Sequence, residues 1–166
     1  NMKKKIIISS IIIVCLIGII GGFYVSDVSE SKKYSFEIVA IKYPSDDKVI
    51  IADGLSSLRI RMKLTKNNEP VSGHTIYVFT SNGSLPQSRI ITSENGWFDF
   101  YYYPYLYVNE KVSPLEDVTF NFQDESNSKV FLIPASYQFT IPVVKPEESN
   151  NQYDWEGYEI IGDEYE

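Results

Sequence analysis

Cysteine and histidine are almost missing from this chain, and basic residues are outnumbered. A single cysteine, Cys15, leaves no internal disulfide, and a single histidine, His74, with no Cys or His partner at ligand spacing removes the common zinc sites. Fifteen Lys and Arg against 22 Asp and Glu give a formal charge of −7 with no cluster of bases, which excludes a nucleic-acid surface because phosphate binding needs clustered cations. No cofactor or metal is expected on these grounds. What is abundant is aromatic, at 14% of 166 residues, together with one long apolar run near the N-terminus. Beyond that run about 140 residues remain, enough for one domain and too few for two.

The run follows Met2-Lys3-Lys4-Lys5, with Asn1 read as a processing remnant. Ile6 to Val25 is twenty residues broken only by Ser9 and Ser10. As a helix it spans about 30 Å, the hydrocarbon thickness of a bilayer. In lipid it must be helical, since only then are its backbone donors and acceptors satisfied. The expected divisions are a cytoplasmic basic start at 1–5, a transmembrane signal-anchor at 6–25, a linker at 26–33, a β-sandwich at 34–146 and an acidic aromatic tail at 147–166. Ile6, Ile12, Cys15, Leu16, Gly18 and Gly22 are the expected membrane-facing residues. By the positive-inside bias the lysines stay cytoplasmic and the C-terminal domain lies outside, giving a single-pass cell-membrane protein. A cleaved signal peptide competes with this reading, but cutting after Gly22 or Ser26 puts Ile20 or Tyr24 at the −3 position, where a small residue belongs. Val14 before Cys15, with Leu16-Ile17 after it, does not make a lipobox. Gly18, Gly21 and Gly22 have the spacing that permits close helix packing.

From Tyr34 the pattern changes to short alternating runs between turn residues, the signature of strands. Leu58, Ile60, Met62 and Leu64 alternate with Arg59, Arg61, Lys63 and Thr65, so one face is apolar and the other cationic. Further strands are expected at Phe36–Ile41, Thr75–Thr80, Arg89–Thr92, Trp97–Tyr103, Val118–Phe122 and Tyr137–Val144, the last preceded by a short pairing strand at Val130–Ile133. Turns fall at Lys66-Asn67-Asn68-Glu69-Pro70, Ser81-Asn82-Gly83, Glu94-Asn95-Gly96 and Asp124-Glu125-Ser126-Asn127. Seven or eight strands without a helical crossover indicate an all-β, immunoglobulin-like antiparallel sandwich.

The order of motifs also resembles a family. Ala52-Asp53-Gly54, then Pro70-Val71-Ser72-Gly73 entering Thr75–Phe79, then Gly83-Ser84-Leu85 and Thr92-Ser93-Glu94-Asn95-Gly96 resemble the bacterial immunoglobulin-like domains of the invasin and intimin type over about residues 36–144. The likeness lapses after Gly96, where small residues give way to Trp97-Phe98-Asp99-Phe100-Tyr101-Tyr102-Tyr103. The resemblance implies a rigid extracellular spacer or recognition module.

In a strand, Trp97, Tyr101 and Tyr103 point opposite to Phe98, Phe100 and Tyr102. One set fills the core and the other presents rings to a partner, a protein surface or a stacked sugar. Pro104 and Pro114 bracket a loop on which Tyr105 and Tyr107 are expected to stand clear, so Tyr101, Tyr103, Tyr105 and Tyr107 form one candidate surface. Asp46, Asp47 and Asp53 read as turn caps rather than calcium ligands, since they lack ligand spacing. His74 reads as a strand-start residue. Lys63 and Asn121 are expected to point away from the core and so cannot form a buried isopeptide. Asp99 and Glu116 are acids with no paired role.

The tail carries Glu147, Glu148, Asp154, Glu156, Glu159, Asp163, Glu164 and Glu166 without a single Lys or Arg. Tyr153, Trp155, Tyr158 and Ile160 interleave them, a composition suited to docking on a basic partner. Use of Ile, Lys, Asn and Tyr suggests an AT-rich prokaryotic genome. The expected protein is a non-enzymatic subunit of a prokaryotic cell-surface assembly, partnered by other subunits or by itself and held to the membrane through 6–25. The alternative is an adhesin-like module that binds host protein or glycan through the tyrosine-rich loop.

Overall fold

The structure, a computed structural model, describes residues 2–127, 130, 131 and 133–146, with side chains from residue 10 onward. A helix, α1, runs over Met2–Ser31. Strands follow at Tyr34–Lys42 (β1), Ile50–Ile51 (β2), Leu58–Lys66 (β3), Glu69–Pro70 (β4), Thr75–Thr80 (β5), Arg89–Ile91 (β6), Trp97–Tyr102 (β7), Val118–Asp124 (β8), Ser136–Ile141 (β9) and Val143–Val144 (β10).

One sheet places β3 between β1 and β7, both antiparallel to it, with β4 folding back on its end. The second has the order β6-β5-β8-β9 and is antiparallel throughout. After β1 the chain forms a separate two-stranded sheet in which β2 lies parallel to β10. Asn67 and Asn68, with φ of 51° and 69°, make the two-residue turn of the β3–β4 hairpin, where paired left-handed residues match the strand twist.

The alternation along β3 sends Leu58, Ile60, Met62 and Leu64 inward, all fully buried, as it sends Val118, Phe120 and Phe122 of β8. Rings dominate this interior. Phe122 lies 5.7 Å from Phe100, 5.7 Å from Phe139 and 6.1 Å from both Phe36 and Phe98, centroid to centroid. Such offset and edge-on pairs each add about 0.5–1.5 kcal/mol to the burial term. Lys63 and Asn121 project from opposite outer faces, as their positions in the alternation require.

Two expectations change. No strand forms at Val130 and Phe131, which instead make a bend, while part of that stretch lies outside the described residues. The segment expected to link helix and sandwich is itself helical through Ser31, leaving only Lys32 and Lys33 as a turn before β1. Contacts between the end of the helix and the sandwich accompany both changes. Asp27, buried at 5% exposure, accepts the N–H groups of Val130 (2.9 Å) and Phe131 (2.6 Å) through Oδ2. One turn farther, Glu30 pairs with Lys33 at 2.7 Å and with Lys66 at the end of β3. Tyr24 meets Phe131 edge to face at 6.1 Å. The helix is thus seated on one end of the sandwich.

A cationic and aromatic face as the candidate functional site

The outer face of the β1-β3-β7 sheet combines the cationic side of β3 with the outward rings of β7. The register sets Arg59 opposite Tyr101, Arg61 opposite Asp99 and Lys63 opposite Trp97. Asp99 joins the strands: Arg61 donates from Nε at 2.7 Å and from Nη2 at 2.8 Å, and Arg59 donates from Nη2 at 2.7 Å. Hydrogen bonding to Arg61 holds the Asp99 carboxyl below its ordinary range, against the opposing effect of partial burial, and Arg59 adds to that lowering. Each guanidinium also covers a ring, Arg61 at 5.0 Å from the Trp97 centroid and Arg59 at 5.9 Å from that of Tyr101.

The result is a row in the order Trp97, Arg61, Asp99, Arg59, Tyr101. Its members hold one another's side chains in place, so little rotamer freedom is left in the row. Trp97, Tyr101 and Tyr103 are 38%, 48% and 39% exposed, whereas Phe98, Phe100 and Tyr102 are buried, the division that alternation requires. Nothing in the sequence marked Asp99 as the centre of this row, because its two partners lie 38 and 40 residues away.

The loop tyrosines do not stand clear. Tyr105 packs against the core, donates its hydroxyl to the Pro114 carbonyl at 3.1 Å and accepts the Glu116 N–H at 3.0 Å, so it closes the loop between the prolines. Tyr107 donates to Glu110 at 3.1 Å while Lys145 lies 5.0 Å over its ring. A hydroxyl in a loop finds the loop's own carbonyls first. The exposed apolar residues there are Leu106, Val108 and Val112.

Asp53 caps its turn, accepting Leu55 N–H and Ser56 N–H at 2.8 Å each and the Ser56 hydroxyl. Burial alone would push that carboxyl up, yet these bonds hold it below its ordinary range. Among the described residues no three His, Cys, Asp or Glu side chains gather as a metal-binding group. His74 lies 2.7 Å by Nδ1 from Asp124 Oδ2, and Asp124 is fully buried, so the imidazole serves as the partner of an interior carboxylate. In the helix, Ile12, Cys15 and Leu16 are exposed, and a Cβ at Gly18 or Gly22 would meet nothing within 4 Å. Ile6 lies in the helix, but its side chain is outside the described set. Tyr153, Trp155, Tyr158 and Ile160 fall outside the described residues altogether.

No protein-family model matches the chain, and no curated protein sequence matches it. Among solved structures, it is similar to a C-terminal 282-residue fragment of intimin in complex with the intimin-binding domain of the translocated intimin receptor. Identity is 19% and the TM-score 0.45, over 64% of this chain and 33% of that one. The D0–D1 domain of intimin is similar at 19% identity and a TM-score of 0.42, over 64% of this chain and 48% of that one. A conjugative transposon lipoprotein from Bacteroides eggerthii is similar at 19% identity and a TM-score of 0.39, over 66% of this chain and 96% of that one. The chain thus spans a third to a half of these two intimin structures.

Proposed function

We propose that this chain is a membrane-anchored, non-enzymatic immunoglobulin-like subunit, a structural and recognition component of a prokaryotic cell-surface assembly. One observation carries the reading: α1 presents apolar side chains to the outside from Ile11 to Val25 and is then clamped to the sandwich by Asp27 and Glu30. Residues 10–31 are long and apolar enough to cross a membrane. A soluble domain would cover such a surface, and a freely tethered one would have no need of the clamp. Lys3, Lys4 and Lys5 orient the N-terminus to the cytoplasm, which projects the sandwich outward.

The partner surface in this reading is the row from Trp97 to Tyr101, with Tyr103 at its end. Tail residues Tyr153, Trp155, Tyr158 and Ile160 supply a second, acidic contact. Solubilising membranes and isolating the tagged full chain should recover a stoichiometric protein complex that Trp97→Ala with Tyr101→Ala disperses. Recovery of the chain alone, or of an unaltered complex from the double variant, overturns the reading. External protease on intact cells should remove the sandwich and leave the helix in the membrane. A mature soluble protein starting near Phe23 or Asp27 would show the helix to be a cleaved leader.

A further inference from the structure

The opposite face of the sandwich carries a different chemistry. Across β5, β8 and β9 the register sets Tyr77 beside Gln123 and Ser136, and Phe79 beside Asn121 and Gln138. Of these rows Phe79, Asn121, Gln123, Ser136 and Gln138, together with Phe122 and Tyr137, line a recess of about 450 Å³. The size lies within the usual range for small-ligand sites, about 300–1,000 Å³.

Three properties restrict what could occupy it. Among the described residues no charged side chain lines the recess, so an ionised ligand would find no counter-charge among them. The side-chain amides of Asn121, Gln123 and Gln138 hydrogen-bond to none of the described residues, leaving several donors and acceptors directed at whatever enters. Phe79 stacks on Tyr77 with centroids 5.4 Å apart and planes 28° from parallel, which makes a flat apolar wall beside those amides. Arg89 lies 4.7 Å over the Tyr77 ring and is tied to Glu125 by two bonds of 3.1 Å, so this cation is already engaged.

A ligand that is neutral, rich in hydroxyls and flat with C–H bonds on one side matches all three. We infer that the Phe79, Asn121, Gln123 and Gln138 recess is a binding site for a neutral carbohydrate, one sugar ring stacking on Phe79 while its hydroxyls exchange hydrogen bonds with the amides. A protein partner would leave those amides to be desolvated against an apolar anchor. A polyanion would be repelled by the chain's net charge. The site is independent of the cationic and aromatic face, which lies on the other sheet.

The test uses the full chain in a zwitterionic detergent that contains no sugar headgroup. Neutral hexasaccharides of glucose, mannose, galactose, xylose and N-acetylglucosamine are titrated calorimetrically, with saturation-transfer NMR to locate the contacted protons. At least one should bind saturably with Kd below about 10 mM, with transfer strongest to the ring C–H protons of one sugar face. Phe79→Ala should weaken that binding by about tenfold, the scale expected from losing an aromatic stack. Because Phe79 also contributes to packing, the Asn121→Ala, Gln138→Ala double variant is measured beside it and should weaken binding with an unchanged melting temperature. Absence of saturable binding by every hexasaccharide, or full binding by the double variant, overturns the assignment.

Discussion

Asp27 holds Phe131 across 104 residues of sequence, its Oδ2 accepting the Phe131 N–H at 2.6 Å. A carboxylate on a helix thereby supplies the partner that a bend in the second half of the chain would otherwise lack, since Val130 and Phe131 give their N–H groups to no strand. Replacing Asp27 by Ala leaves two donors without their acceptor. The expected loss is about 1–3 kcal/mol of sandwich stability, with faster hydrogen exchange at both amides. A spin-label pair bridging helix and sandwich should change from a narrow to a broad distance distribution in Asp27→Ala. An unchanged distribution would show that the clamp does not depend on this residue.

Asp99 gives a pH dependence of defined sign. Its folded pKa lies below its ordinary value, so its contribution is fully present above the unfolded carboxylate value of about 4 and fades as pH falls through the lower folded one. Both arginines are exposed by more than a third, and screening limits the effect to under about 1 kcal/mol. Urea unfolding of the wild type and Asp99→Asn between pH 5 and pH 2 should give curves that differ at pH 5 and converge toward pH 2. Curves that stay parallel would remove Asp99 from the acid response.

Phe120 meets Tyr102 at 5.0 Å, Phe139 at 5.1 Å and Phe100 at 6.2 Å. Phe120→Ala should cost about 3–5 kcal/mol in chemical unfolding, the range for a large buried ring, and Lys63→Ala on the outer face less than about 0.5. Equal costs would contradict the inward and outward faces assigned to β8 and β3.

Gly83 and Tyr102 form a second tight pair. Gly83 has φ of 79°, and a Cβ there would overlap the Tyr102 hydroxyl and ring. Gly83→Ala should therefore destabilise by more than about 1 kcal/mol, combining backbone strain with the clash. Burial pushes the Tyr102 phenol up, and among the described residues its hydroxyl has no hydrogen-bond partner. Tyr102→Phe should then be neutral or stabilising in thermal denaturation, since it removes a buried polar atom that nothing satisfies. A marked loss instead would show that the hydroxyl is in fact satisfied.

What the sequence made legible follows from the range over which each signal acts. The alternation of Leu58, Ile60, Met62 and Leu64 is local, and so the strand, its buried face and the division of β7 into two opposed sets of rings could be read directly. The Asn67-Asn68 turn is equally local. Asp27 looked like one acid in a short linker because its partners lie more than 100 residues away. The same holds for Asp99 with its arginines and for His74 with Asp124, 50 residues apart. Tyr105 was misread for another reason: Pro104 and Pro114 mark the loop, but neither reveals that Tyr105 would bond the carbonyl of Pro114 itself. The β2–β10 pairing escaped notice because two residues in each strand leave no period to detect.

That short parallel pairing bears on how the molecule carries a load. The helix is seated at the end of the sandwich where β3 and β8 finish, and β9 and β10 run toward the opposite end. A pull between α1 and Val144 therefore draws β2 one way and β10 the other along their common axis. The bonds from Ile50 N–H to the Pro142 carbonyl, 2.9 Å, and from Ala52 N–H to the Val144 carbonyl, 3.0 Å, lie across that axis and are strained together. Shear of this kind requires simultaneous rupture, whereas a hairpin pulled from its open end parts one bond at a time. Among the described residues this two-stranded sheet, the smallest, is therefore a place where a pull along the chain loads backbone bonds in shear.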